Sequence, residues 1–507
     1  MSGGRSVNVL QLRPGDDVGI ALAALEPGDV IAEFDITLVE PVAQGHKVAL
    51  RSVPSGDPVR KYGQVIGFAT QDIAAGGHVH THNLEFKDET RHAVPQAPQA
   101  PETGWSQATF EGYLRADGRV GTRNYIGVIA SVNCSSTISK MIASAVNQSG
   151  LLQQYPQVDG VVAIAHDSGC GLPDTGPAID ILRRTLRGYM THPNFGAILV
   201  VGLGCEVNQL SDLLADLPTN DTAVESMSIQ DAGGSAAAVN LGVEKVRALV
   251  EQARQARRST QPISRLVLGL KCGGSDGFSG LTANPALGFA SDMLVSAGGS
   301  SILCETPEIV GAEHLLAGRA ASPSVAEDLM GRVQWWREYV VSHGASLDNN
   351  PSPGNKAGGI STILEKSLGA VAKSGSSPLN GVIGYAEPIS TSGLVFMDSP
   401  GYDPVSVTGM VAAGANIVCF TTGRGSVYGC KPVPTLKLAT NSDVYRSMAG
   451  DMDINCGAVL DEGVTLEEMG RRILELIIDT ASGRKTLSEQ FGFGDEEFVP
   501  WRLGAVM

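Results

Sequence analysis

Short apolar runs, each closed by glycine or by a cluster of polar residues, recur along most of the chain. From residue 125 onward they read as strands buried on both faces of a parallel sheet: Tyr125–Ala130, Gly160–Ala165, Ala197–Gly202, Arg265–Leu270, Ser300–Leu303, Gly381–Tyr385 and Asn416–Phe420. Between them the apolar positions recur with a helical period, as in Ala178–Tyr189 and Ser235–Arg254, and again near the end at Leu466–Thr480. Strands alternating with helices predict an α/β region with mostly parallel sheet or sheets. Residues 1–92 differ. There, short strand candidates at Val7–Leu10, Asp29–Ala32, Lys47–Leu50 and Gly63–Gly67 are separated by Pro-Gly and Gly signals, which predicts a small β-rich domain. A Pro/Ala/Gln-rich linker over 93–107 is the clearest boundary, and the Pro351–Lys356 loop suggests another. The expected organisation is therefore 1–92, linker 93–107, an α/β region 108–350 that carries the chemistry, and a C-terminal α/β region 351–507.

Composition narrows the function classes. A chain of 507 residues can hold two to four domains, and 62 glycines without a repeat suggest many tight strand–loop junctions. A net charge of −16 argues against nucleic acid and acidic membranes, but not against a small anion held by one local cluster of Arg and Lys. No apolar run has the length of a membrane helix, and the N-terminal residues lack the apolar core of a secretion signal. The eight cysteines are scattered, which fits reduced thiols in a cytoplasm better than a disulfide framework.

Reactive side chains fall where the apolar runs stop. Asn133-Cys134-Ser135-Ser136 follows the first run, His166-Asp167-Ser168-Gly169-Cys170-Gly171 the second, and Gly204-Cys205-Glu206 the third. Lys271-Cys272-Gly273-Gly274-Ser275-Asp276-Gly277-Phe278-Ser279-Gly280 follows the fourth, Cys304-Glu305 the fifth, and Thr421–Ser426 the last. Ligands of open parallel sheets bind beyond the carboxyl ends of the strands, so all six loops are expected on one edge. The 271–280 loop is no Walker A motif, since no Gly-Lys-Ser/Thr closes it. A nicotinamide dehydrogenase is also disfavoured, because no Gly-x-Gly-x-x-Gly follows a first strand.

In the first domain, strand alternation would put His78, His80 and His82 on one face, about 7 Å apart per pair, as a candidate metal or anion site. No Cys-x-x-Cys pair exists, so a structural zinc site is not indicated. Cys134, Cys170, Cys205 and Cys272 could still meet around iron or an iron–sulfur cluster, or simply pack in a core. Cys170 with His166 as a nucleophile pair has no specific signature. Arg123, Lys271 and Arg424 are the cations best placed to hold a carboxylate.

These residues sit in an ordered series of motifs that resembles the altronate/galactarate dehydratase family of sugar-acid hydro-lyases, whose relatives include sulfolactate sulfo-lyase. The series comprises Gly45-His46-Lys47, Lys61-Tyr62-Gly63, Val79-His80-Thr81-His82-Asn83, Gly121-Thr122-Arg123-Asn124, His166–Gly171, Gly202–Glu206, Cys272–Asp276, Asn350–Lys356 and Phe420–Gly425. The resemblance implies a SAF-like first domain, a separate chain in some relatives. It also implies elimination of water from an aldonate or aldarate, such as altronate or galactarate, to a 2-keto-3-deoxy acid. It implies a divalent metal as well, Fe²⁺ before Mn²⁺; an iron–sulfur cluster through Cys134, Cys170, Cys205 and Cys272, read from the cysteines themselves, is the alternative. The α-proton of a carboxylate is weakly acidic, so that chemistry needs a base and stabilisation of an enediolate. On this resemblance His80 and His82 hold the metal, with His46 placed to assist. Lys47, Lys61, His166 and Asp276 are the candidate acid and base, without one role assigned to each. Arg123, Lys271, Ser275 and Arg424 hold the carboxylate and hydroxyls.

Two other readings compete. One is C–S elimination of sulfite from a sulfonated hydroxy acid such as sulfolactate, where only the leaving group differs. The other is a non-catalytic sugar-acid-binding protein. The partner in each case is a small anionic hydroxy acid, and association into a homo-oligomer is left open.

Overall fold

A computed structural model describes residues 8–88, 93, 104–215, 217 and 222–504. The first domain is β-rich, as expected. Val9–Leu10, Val18–Ala21, Lys47–Ala49 and His78–Val79 form an antiparallel four-stranded sheet in chain order. Pro58–Lys61, Gln64–Ala69 and Leu84–Glu85 form a three-stranded one. Most of the linker expected over 93–107 lies outside the described residues.

The α/β part holds two parallel sheets rather than one. In the first, β1 (Tyr125–Ala130), β2 (Gly160–Ile164), β3 (Phe195–Gly202) and β4 (Ala223–Ser228) run in the order β2-β1-β3-β4. The second contains β5 (Val267–Cys272), β6 (Ser300–Cys304), β7 (Leu379–Ile383), β8 (Gly393–Met397), β9 (Ile417–Thr422), β10 (Thr435–Ala439) and β11 (Ile454–Asn455). Their order is β7-β8-β6-β5-β9-β10-β11, parallel throughout.

Continuous apolar runs are what this burial demands. Helices α1 (Asn133–Gln148) and α3 (Ser235–Ala253) cover one face of the first sheet through Ile138, Ile142, Val246 and Leu249. Helix α2 (Pro177–Met190) covers the other face and packs on α6 (Asp403–Ala413), which belongs to the second sheet. The α2–α6 pair is the seam between the sheets. On the far side of the second sheet, α4 (Ala283–Ser296) lies against α5 (Ile363–Ala372) and α7 (Leu466–Ala481). No helix among the described residues is long and apolar enough to cross a membrane.

Two expectations are corrected. The boundary at 350 falls inside the seven-stranded sheet, which draws strands from both sides of it. The division lies earlier instead: Thr109–Leu114 pairs antiparallel with Ser259–Pro262, so the chain enters and leaves the four-stranded unit at one place. Nor do the six reactive loops share one edge. Three close β1, β2 and β3, and three close β5, β6 and β9, at the carboxyl edges of different sheets.

Candidate active site

Lys47 and Lys61 come from different sheets of the first domain yet meet one carboxylate of the α/β region. Lys61 ends a strand whose Tyr62-Gly63 turn has positive φ at both residues, 62° and 72°, the geometry of a tight hairpin. Asp16 fixes that turn by accepting from the Tyr62 and Gly63 amides at 3.0 and 2.7 Å. Lys47 follows Gly45, whose carbonyl is pressed against Gly277 and Gly359; a side chain at either position would occupy its space. Across this junction Lys47 Nζ donates to Glu365 Oε2 at 2.8 Å and to Gly359 O at 2.6 Å, and Lys61 Nζ donates to Glu365 Oε1 at 2.9 Å.

All three groups are buried, and the two amines respond in opposite directions. Burial is the largest influence on Lys47 and, with the Lys61 charge, outweighs Glu365 and pushes its ammonium down to about 8. Burial acts against Lys61 as well, but Glu365 and Tyr62 hold it above the ordinary lysine range. Glu365, despite burial, is held down to about 2 by the two lysines. The site thus contains a poised amine beside one that stays charged.

Next to it the histidines gather, though not by strand alternation. The strand ends at Val79, and a turn closed by Asn83 (Nδ2 to His78 O 2.9 Å; His80 N to Oδ1 2.9 Å) folds the rings together. Ring centroids of His46–His78, His46–His80, His78–His80 and His78–His82 are 5.1, 4.9, 5.4 and 5.4 Å apart. His46 Nδ1 faces His78 Nε2 at 3.0 Å, while its Nε2 donates to Ala357 O at 3.2 Å; His80 Nδ1 lies 3.1 Å from Ser361 Oγ. Burial first, then neighbouring cations, pushes His78 down to about 3 and His80 down to about 4, which leaves neutral, lone-pair-bearing rings.

The loop after β5 forms the opposite wall. Gly274 O accepts from the Gly423 and Arg424 amides at 3.0 and 2.9 Å, joining the β5 and β9 loops. Asp276 accepts from Ser279 Oγ (2.9 Å), Thr440 Oγ1 (2.9 Å) and Asn441 Nδ2 (3.0 Å), and burial raises its carboxyl. Ser275 Oγ is buried without a partner among the described residues. The Arg424 side chain is exposed and makes no hydrogen bond or ion pair among them. A cavity of about 270 Å³ adjoins, lined by Leu22 and Gln44 on one side and Phe278, Asn441 and Arg446 on the other.

Three residues expected here are elsewhere. Arg123 is buried and spends its guanidinium on Glu489 (2.6 and 2.8 Å) and on the carbonyls of Thr122, Thr480 and Arg484, clamping the two α/β units together. His166 is buried at the edge of the first sheet, with Nε2 donating to Ala130 O and Nδ1 accepting from Ser168 N. Lys271 lies within β5 rather than beyond it, because Glu305 and Asp403 neutralise it there. Glu305 belongs with Glu308 and Cys272 to the one described trio of acidic, thiol or imidazole donors lying within 4.8 Å of one another. Lysines already supply the cations: Lys373 sits 2.8 Å from Cys272 Sγ and Lys366 2.8 Å from Glu308. This is a charge-balanced core.

Glu365 was not foreseen. Its only signal was Thr362-x-x-Glu365, a helix-start pattern. Thr362 does cap α5, but the carboxylate serves Ser361 N and the two lysines instead.

A poised buried amine, clustered imidazoles and an open guanidinium where two domains meet are the equipment of an enzyme for small acids. Family models match in three consecutive pieces: the altronate/galactarate dehydratase SAF domain over residues 7–87, the second domain of D-galactarate dehydratase/altronate hydrolase over 112–254, and the D-galactarate/altronate dehydratase C-terminal domain over 263–506. The chain is 36% identical to altronate dehydratase of Bacillus subtilis (strain 168) over 98% of its own length and 99% of that protein's. It is 37% identical to galactarate dehydratase (L-threo-forming) of Escherichia coli (strain K12), covering 91% and 90%. It is also 33% identical to (2R)-sulfolactate sulfo-lyase subunit beta of Chromohalobacter salexigens, covering 78% and 97%. The chain belongs to the altronate/galactarate dehydratase family of hydro-lyases.

Proposed function

We propose that this enzyme eliminates water from a sugar acid, an aldonate or aldarate such as altronate or galactarate, giving a 2-keto-3-deoxy acid. The observation that carries the mechanism is Lys47. A neutral Lys47 keeps two N–H groups for Gly359 O and Glu365 and retains a lone pair to take the α-proton. Lys61 stays charged and holds Glu365, so Lys47 can lose its proton without leaving the carboxylate unpaired. Arg424 is the cation open to the acid's carboxylate, and Ser275 Oγ is available to a hydroxyl. Asp276, raised by burial, is the carboxyl of this edge that can return a proton to the departing hydroxyl.

The metal implied by the resemblance fits the histidine cluster. His46 and His80 each engage one ring nitrogen with an oxygen, the arrangement that orients a metal-ligating imidazole. Imidazole nitrogens suit iron(II) better than magnesium or manganese. His80 and His82, with His46 and His78 beside them, would hold the ion. When bound, it would polarise the acid's carboxylate and hydroxyl and offset enediolate charge. The free state of all eight cysteines supports work in a reducing cytoplasm.

The test is an anaerobic assay of altronate, galactarate and sulfolactate with Fe²⁺, Mn²⁺ or Mg²⁺, reading 2-keto acid and sulfite. Keto acid from an aldonate or aldarate is expected. Sulfite from sulfolactate would establish the sulfo-lyase reading that the Chromohalobacter relative favours. Unchanged metal content and turnover in the double variant His80→Ala/His82→Ala would remove the histidine site.

A further inference from the structure

The second reactive edge, at the four-stranded sheet, takes no part in that mechanism. Cys134, Cys170 and Cys205 stand just past the ends of β1, β2 and β3, and β1 lies between the other two. They are the exposed cysteines of the chain; the other five are buried. Their loops are bonded directly to one another. Asn133 N donates to Ser168 O at 2.8 Å, and Ser136 Oγ to His166 O at 2.7 Å. Asn208 donates from its amide to Gly169 O at 3.0 Å and from Nδ2 to Ser131 O at 2.9 Å. Ser131 Oγ reaches Glu206 Oε1 at 2.7 Å. Gly169, Gly171 and Gly204, beside the thiols, all have positive φ (96°, 72° and 126°), so both thiol-bearing turns need glycine.

We propose that Cys134, Cys170 and Cys205 ligate an iron–sulfur cluster with three protein thiolates, leaving one iron open to a non-protein ligand. Cys272, expected as a fourth ligand, is buried in the other sheet against Lys373, so it does not belong to this set. The three sulfurs do not all fall within 4.8 Å of one another, so they are not gathered around a single tetrahedral ion. Thiolates and cluster sulfides need cationic surroundings. Here Cys134 lies in the first turn of α1, a 16-residue helix with no acid in that turn, so the positive end of the helix dipole lies at this edge. Asp167, the nearest acid in the β2 loop, is neutralised by Arg502.

The experiment is anaerobic reconstitution of the full-length protein with ferrous iron and sulfide. Iron and acid-labile sulfide are then measured, and thiol alkylation is mapped by mass spectrometry. The expected result is roughly four irons and four sulfides per chain. Alkylation of Cys134, Cys170 and Cys205 should fall at least about tenfold relative to the cluster-free protein. The cluster should persist in Cys272→Ser and be lost in each of Cys134→Ser, Cys170→Ser and Cys205→Ser. Alkylation protection needs no variant, so a variant that fails to fold does not decide the matter. Absence of labile sulfide, unprotected thiols after reconstitution, or a cluster kept by the triple serine variant would each overturn the proposal. The dehydratase assay with His80→Ala/His82→Ala reports separately on the first-domain site.

Discussion

Lys47 and Glu365 are 318 residues apart in the chain and 2.8 Å apart across the domain junction. Their pairing, with Lys61 on the other carboxylate oxygen, joins the small domain to the seven-stranded sheet unit through buried charge. Breaking a buried pair from one side leaves charge without a partner, which costs more than the pair itself contributes.

Glu365→Gln should therefore destabilise the protein by about 3–5 kcal/mol in urea unfolding at neutral pH. The sign with pH follows from Glu365 lying at about 2, below its ordinary 4.5. Its contribution is complete above 4.5 and is lost as pH falls toward 2, so the gap between wild type and variant should close over that range. A gap that is constant with pH would exclude the carboxylate as its source.

As the proposed base, Lys47 must be neutral to accept a proton, and burial pushes it down to about 8. The rate constant kcat/KM should accordingly rise with pH up to about 8 and then level. Lys47→Arg keeps a cation for Glu365 but cannot deprotonate, and should lower kcat by about 10²–10⁴-fold with the fold retained. A variant with wild-type kcat would pass the base role to another group.

Arg424→Ala should raise KM and lower kcat/KM by roughly ten- to a hundredfold, the loss of one charged hydrogen-bonding partner for the substrate carboxylate. Its exposed side chain makes no hydrogen bond or ion pair among the described residues, so the melting temperature should stay within the range of a surface substitution. Arg424→Lys should recover part of the loss, since a point charge replaces the planar fork. Equal loss in stability and activity would argue for a structural role instead.

Arg123→Ala tests the reverse assignment. Removing a buried guanidinium that grips Glu489 with two bonds should cost about 3–5 kcal/mol of stability. KM measured per folded molecule should not move. A selective rise in KM would restore Arg123 to the substrate site.

Much of this was legible in order along the chain. Seven of the strands in the two parallel sheets and three of the main helices follow from apolar runs and helical periods, because burial on both faces leaves no alternative pattern. Ala223–Ser228 and Thr435–Ala439 are not legible in the same way because polar residues interrupt their apolar runs. The histidines and both lysines of the candidate site stood out as residue types in glycine-rich settings. The difference between the two amines did not, because burial and a shared counterion set which is pushed down and which is held up, and neither is a property of the local sequence.

By itself, then, the sequence determined a β-rich first domain, an α/β remainder and the reactive residues at strand ends. Only the tertiary structure divided those ends between two sheets, since strand partnership depends on which faces pack across the α2–α6 seam. Only it brought Glu365 to Lys47 and Lys61, and turned Arg123 and Lys271 from candidate ligand-holders into buried ion pairs. Long-range charge pairing is chosen by the fold, where desolvation makes each buried ion seek the nearest opposite charge.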